Sequence, residues 1–200
     1  PVERYLQPAK VEEEVHLNKK DYTLSTNRYP GTIHPHGFEH LESVLYDVFP
    51  TFVYTINGNI IKKSVTMPHG YNATIITYKF ITKEPFTFHV RPLVNARPIH
   101  EIAHAAQMSF HQFANEKTTT IKSHDPNAPL LVLGTDKGIY HPDAVFVYNM
   151  EYEQELERGY AFREDHWSPG SFRFTVKEGV SRCNILAAGG REHDVYKVFD

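Results

Sequence analysis

Along much of the chain the side chains alternate with a period of two. Phe52, Tyr54 and Ile56 alternate with Val53 and Thr55; Ile76, Tyr78 and Phe80 with Thr77 and Lys79; Phe86, Phe88 and Val90 with Thr87, His89 and Arg91. Val145 and Val147 alternate with Phe146 and Tyr148, and Phe172, Phe174 and Val176 with Arg173, Thr175 and Lys177. Such alternation puts one set of side chains on a core face and the other towards solvent or a cleft. Asn57-Gly58 separates the first run from Asn59–Val65 and predicts a hairpin, because a type I′ turn needs positive φ at both central residues. Further strands are predicted at Thr118–Ser123, Leu130–Leu133 and Asn184–Ala187. Turn signals punctuate them at Pro68-His69-Gly70, Asp125-Pro126-Asn127, Asp136-Lys137-Gly138 and Lys177-Glu178-Gly179. Many short strands with frequent turns predict an all-β sandwich or barrel rather than βαβ units. Helical periodicity is weak and predicts one short helix within residues 99–108 and another within 150–158.

A chain of 200 residues without internal repeat or Gly/Ser-rich linker suits one large domain. The formal net charge of −3 argues against a nucleic-acid partner and gives no reason to expect an anionic membrane surface. Cys183 is the single cysteine, so no internal disulfide forms, which fits a reducing cytoplasm. The opening PVERYLQPAKVEEEV holds no apolar run, and no stretch approaches the length of a membrane span. A first residue other than Met fits a processed chain or a piece of a longer protein. The 13 Phe, 12 Tyr and one Trp suit sheets, and also sugar binding, where an aromatic face stacks on the C–H face of a pyranose.

Four constellations bear on chemistry. His34, His36 and His40 are close enough in sequence for a metal, as in a cupin-like enzyme, but the cupin spacing fails: His40 stands where Glu is needed, Glu42 is one place too far and Glu39 too near. Polar loop or cleft histidines are the simpler reading. Glu151, Glu153, Glu155 and Glu157 with Glu164-Asp165 offer carboxylates for glycoside hydrolysis, though such runs usually form a solvated face. There is no Gly-x-Ser-x-Gly elbow and no Gly-rich phosphate loop, and Cys183 sits in a β-like run as a packing residue. The fourth set is Asn27-Arg28-Tyr29-Pro30-Gly31, Arg91-Pro92-Leu93-Val94-Asn95-Ala96-Arg97 and Glu164-Asp165-His166-Trp167-Ser168-Pro169-Gly170. Each brings planar hydrogen-bonding groups to a strand end, with aromatics beside them in the first and third, which is what sugar hydroxyls require. Arg28, Arg91 and Arg97 serve equally well to tie loops down through internal ion pairs.

The same clusters carry a family resemblance. LSTNRYPGTIHPHGFEHLESVLYDVFPTFVY resembles the hallmark segment of the N-terminal domain of archaeal- and bacterial-type glycogen debranching enzymes, the amylo-α-1,6-glucosidase family. RPLVNARPIHE and ERGYAFREDHWSPGSF resemble two later segments, in order, so the likeness covers residues 21–175. It departs in two places: the Gly-rich segment and Arg-Tyr-His stretch that precede these motifs are missing, and the family's Arg-Asp-x-His reads Arg97-Pro98-Ile99-His100 here. That Pro removes a carboxylate and a backbone donor. The resemblance implies a large antiparallel β-sandwich over 1–200, placed before an (α/α)-barrel catalytic domain that carries the hydrolytic carboxylates. It implies an accessory, non-catalytic domain of an α-glucan-processing enzyme, without cofactor or metal, whose partners are an α-glucan and the barrel of the same polypeptide. The substrate-facing candidates are Arg28, Tyr29, His34, His36, Arg91, Asn95, Arg97, Glu164, Asp165 and Trp167. A purely structural interdomain module and a cupin-like metal enzyme are the alternatives.

Overall fold

The structure, a computed structural model, describes residues 4–190. In chain order its strands are β1 (Tyr5–Leu17), β2 (Lys20–Thr23), β3 (Thr26–Tyr29), β4 (Thr32–His36), β5 (Leu41–Tyr46), β6 (Pro50–Ile56), β7 (Asn59–Thr66), β8 (Ala73–Thr82), β9 (Phe86–Pro98), β10 (Phe110–Ala114), β11 (Thr118–Ser123), β12 (Leu130–Thr135), β13 (Ile139–His141), β14 (Val145–Glu151), β15 (Arg163–Ser168), β16 (Ser171–Val176) and β17 (Gly179–Gly190). Strand makes up 65% and helix 6%, so the fold is an all-β sandwich. One antiparallel sheet has seven strands, ordered β13-β16-β9-β1-β2 with the β14–β15 pair joined through β9. The other has eight, ordered β10-β11-β12-β17-β8-β7-β6-β5. The β3–β4 hairpin is separate.

The Asn57-Gly58 turn forms as its chemistry requires, with φ of 49° and 78°, and pairs Ile56 with Asn59. The inner faces of the sheets meet through Val11, Val15, Phe88, Val90, Phe172 and Phe174 on one side and Ile61, Tyr78, Phe80, Ile121, Leu131 and Ile185 on the other, all buried. Phe88 lies edge-on to Tyr78 and Phe80, with centroids 4.9 and 5.1 Å apart, the geometry in which ring quadrupoles attract. Of the expected core faces, those of Tyr54 and Ile56, of Tyr78 and Phe80, and of Phe172, Phe174 and Val176 are buried; in β14 Val145 and Tyr148 are exposed.

A charged pair, Glu13 and Lys63, lies between the sheets. Glu13 occupies an inward position of β1, pairs with Lys63 of β7 and accepts a hydrogen bond from Tyr78 at 2.8 Å. Burial and the adjacent Glu13 raise the Tyr78 hydroxyl well above its ordinary pKa, so Tyr78 stays a donor.

The helical expectations need trimming. Within 99–108 only Ala105–Gln107 turns, as one 3-10 turn, and within 150–158 the helix α1 spans Glu153–Glu157. The β3–β4 hairpin lies over the outer face of the seven-stranded sheet. Asn27 reaches Glu12 and Lys10 of β1, and the Gly37 N–H donates to Ser25. A Cβ at Gly37 would stand 2.2 Å from the Leu24 carbonyl carbon, so only glycine fits that approach.

Candidate functional site

Strand alternation sends Glu12, Glu14 and His16 of β1 and His89 and Arg91 of β9 to the face opposite the core, and beyond a register irregularity at Ala96, whose φ is 53°, Arg97 turns to Glu164. At one end of that face a cavity of about 930 Å³ opens between residues 97–102 and the segment 151–161. Its walls include Arg97, Glu101, Tyr152, Glu153, Arg158 and Tyr160. This volume lies within the range of small-ligand sites, and the lining mixes these charged and aromatic side chains with Leu6, Ala9, Ile99, Ile102 and Ala161.

A closed polar network forms one wall. Glu164 is fully buried and accepts a two-pronged contact from Arg97, one bond from the Ala103 N–H at 3.0 Å and one from the Tyr152 hydroxyl at 2.7 Å. Both carboxylate oxygens are thus saturated. Burial and the bond to Glu164 push the Tyr152 hydroxyl up. With its single proton committed to Glu164, Tyr152 accepts from His166 Nε2 at 3.0 Å. Burial holds the His166 imidazole down to about 4, so it is neutral at pH 7. Its Nδ1 is then a bare acceptor, and it is buried with no protein partner, as is Asn95 Oδ1.

Asp165 anchors the neighbouring loops, accepting from the backbone N–H groups of Ala105 at 2.9 Å and Asn149 at 2.8 Å. Burial works against its charged form, but those two donors and His104 outweigh it and leave the carboxyl below its ordinary value. Asn95 donates to the Asp165 carbonyl at 2.8 Å. Farther along the outer face, Arg91 holds Asp143 at 2.9 Å and reaches Ser168 at 3.2 Å. Burial would raise the Asp143 carboxyl, yet Arg91 and Ser171 reverse that and hold it low. A smaller cavity of about 160 Å³ lies here between Glu12, Glu14, His89, Arg91 and Arg173, with Pro35 of β4 beside it.

The structure therefore gathers several candidates on one face while separating others. Arg97 lines the large cavity, and Arg28 reaches it by pairing with Glu153. Tyr29 is half-buried beside Asn27, and burial raises its hydroxyl pKa. His34 and His36 are exposed on β4. Glu164, Asp165 and Asn95 are buried with the partners above, and Trp167 stacks on Phe110 with centroids 4.6 Å apart, inside the core. His34, His36 and His40 do not converge on a metal geometry: His36 Nε2 is taken by the Ile33 carbonyl at 2.8 Å, and His40 packs on Tyr22. The glutamate run is engaged as well, Glu151 with Arg163, Glu153 with Arg28 and Glu155 with Arg158. The sequence does not single out Tyr152 and Tyr160 as site residues: Tyr152 lies among the glutamates of the short predicted helix and Tyr160 lies near the start of the third motif; their aromatic character was the available signal.

A family model described as the N-terminal part of glycogen debranching enzyme matches residues 1–182. No curated protein matches in sequence. Among solved structures, a bacterial glucoamylase complexed with acarbose shares 11% identity at a TM-score of 0.50, over 96% of this chain and 28% of that one. A polysaccharide lyase shares 10% identity at 0.48, over 97% and 27%. A heparan sulfate lyase from Pedobacter heparinus shares 10% at 0.44, over 84% and 22%. At such identities the glucoamylase supports the fold alone. The chain spans between a fifth and a third of these proteins' lengths. Among the described residues no helix is long and apolar enough to cross a membrane.

Proposed function

The chain belongs to the glycogen debranching enzyme N-terminal family, and on that premise we propose that it is the accessory sandwich domain of a cytoplasmic enzyme acting on α-1,6-glucosidic branch points of α-glucans. In this reading it binds glucan and helps seat a catalytic (α/α) barrel that belongs to the same polypeptide and supplies the hydrolytic carboxylates. The observation that carries glucan binding is the 930 Å³ cavity, where Tyr152 and Tyr160 offer stacking faces beside Arg97, Glu101 and Arg158. Arg28, Tyr29, His34, His36, Arg91 and Arg97 are the proposed contacts along this face. Asn95, Glu164, Asp165 and Trp167 hold the strands that present them. Saturation of Glu164 by four donors suits positioning rather than acid–base chemistry.

The test is a ¹⁵N NMR titration of the 200-residue chain with maltoheptaose. Shifts at Glu101, Tyr152 and Tyr160 are expected. No shifts, or shifts confined to other surfaces, overturn the binding role.

A separate observation favours barrel docking. The end of β5 and the turn to β6 expose Leu45, Tyr46, Val48 and Phe49, with Tyr46 81% and Val48 75% exposed, an apolar cluster at the edge of the eight-stranded sheet. Substituting Tyr46 and Phe49 with Ser should weaken association with a separately produced barrel and leave the maltoheptaose shifts intact. Undiminished association removes the docking role.

A further inference from the structure

Two histidines 73 positions apart meet on the outer sheet face. His16 of β1 and His89 of β9 lie with Nε2 and Nδ1 2.9 Å apart. Glu14, directly across from His89 in the β1–β9 ladder, brings Oε2 to 3.2 Å from the same His16 nitrogen. Among the described residues this is the grouping of His, Cys, Asp and Glu whose three donor atoms all fall within 4.8 Å of one another. Around a tetrahedral Zn²⁺ with bonds of about 2.0–2.1 Å, donor atoms stand about 3.3 Å apart. The His16–His89 and His16–Glu14 spacings need only a small outward movement to reach that figure.

We propose that Glu14, His16 and His89 form a binding site for a divalent first-row transition ion such as Zn²⁺, with Asp21 as the group that orients His16. This site goes beyond the glucan reading and does not rest on it. Asp21 Oδ1 lies 2.6 Å from His16 Nδ1 and takes that ring proton. Nε2 is thereby turned toward His89 and Glu14, the carboxylate–imidazole arrangement that fixes the tautomer of a metal ligand. With the ring proton on Nδ1, Nε2 presents a lone pair to His89 Nδ1 and the Glu14 carboxylate and has no proton of its own to offer either; a divalent cation satisfies all three donor atoms together.

The surroundings permit a cation. Arg173 of β16 lies directly across from His89 in the β16–β9 ladder. The Arg173 guanidinium is held by Asp143 at 3.0 Å, which offsets its charge. His16 and Glu14 are part-exposed at 30% and 39%, so an ion has an entry path and at least one open coordination position. Two imidazoles and one carboxylate suit Zn²⁺ and its neighbours rather than Mg²⁺ or Ca²⁺, which prefer oxygen donors.

The test uses the untagged, chelator-treated 200-residue chain, titrated calorimetrically with ZnCl₂ and by absorption with Co²⁺. One saturable equivalent is expected, with the visible bands of low-coordinate Co²⁺. Asp21→Asn should weaken binding about 10- to 100-fold while leaving all three ligands in place. His16→Ala and His89→Ala should weaken it further. Circular dichroism checks that each variant folds; His16 and Glu14 lie at the surface, so His16→Ala and Glu14→Gln carry the test if His89→Ala does not fold. Absence of saturable binding, or a site that survives His16→Ala and Glu14→Gln, overturns the proposal.

Discussion

Replacing Arg97 by Ala should destabilise the domain far more than loss of a surface charge. The Glu164 side chain is 0% exposed and that of Arg97 12%. Arg97 supplies two of the four donors that hold the Glu164 carboxylate; the Ala103 N–H and the Tyr152 hydroxyl supply the others. Arg97→Ala therefore leaves a buried anion without its counter-charge and with half its hydrogen bonds. Stranding one partner of a buried pair costs about 3–5 kcal/mol, whereas losing an exposed pair costs about 0–1 kcal/mol. Urea unfolding at pH 7, followed by circular dichroism, separates the two cases. With a slope of about 2 kcal/mol per M, the midpoint should fall by about 1.5–2.5 M. Arg97→Lys keeps the charge but loses the planar fork, and should fall between Ala and the parent. If Arg97→Ala costs less than about 1 kcal/mol, the pair is solvated and the network described above is wrong.

Gly37→Ala should cost about 1–3 kcal/mol or more, because its Cβ would meet the Leu24 and Ser25 backbone at 2.2–2.4 Å; NMR shifts in β3 and β4 should show the hairpin displaced, and a thermal melt unchanged from the parent refutes the close approach. Acid should weaken the fold through His166. Its folded pKa is depressed to about 4 from 6.5, so the unfolded chain binds the extra proton between these values and stability falls as pH drops from about 6.5 to 4, by about 3 kcal/mol for this fully buried ring. His166→Leu should flatten that part of the pH–stability curve, and an unaltered slope would show that His166 is not its source.

Strands in which apolar and polar positions alternate cleanly were legible in the sequence; β1 and β15, whose polar residues are buried, were not, and neither were the short β2–β5 and β10, which bury few apolar side chains. The period-two runs of β6, β8 and β16 and the Asn57-Gly58 turn stood out because apolar and polar positions alternate there. β1 did not, since Glu13 occupies a core position that only Lys63 and Tyr78, far away in sequence, make tolerable. Glu164-Asp165-His166-Trp167-Ser168 read as a polar cluster at a strand end, yet it forms β15 with every one of those residues buried. Its partners, Arg97, Ala103, Ala105 and Tyr152, come from elements that no local pattern links. The three segments of the site were recognisable as motifs, but which side chains line a cavity and which lie beneath it depends on register. A one-residue step along β15 separates Trp167, in the core, from His166, beside Tyr152. The meeting of His16 and His89 is likewise a product of β1 pairing with β9.

The stacking of Trp167 on Phe110 has a practical consequence. As the single indole of the chain, directly next to His166 and paired with Val94 across β9, it supplies an intrinsic optical reporter lodged just under the cavity wall. Its emission can follow loosening of that wall in any variant without an attached dye.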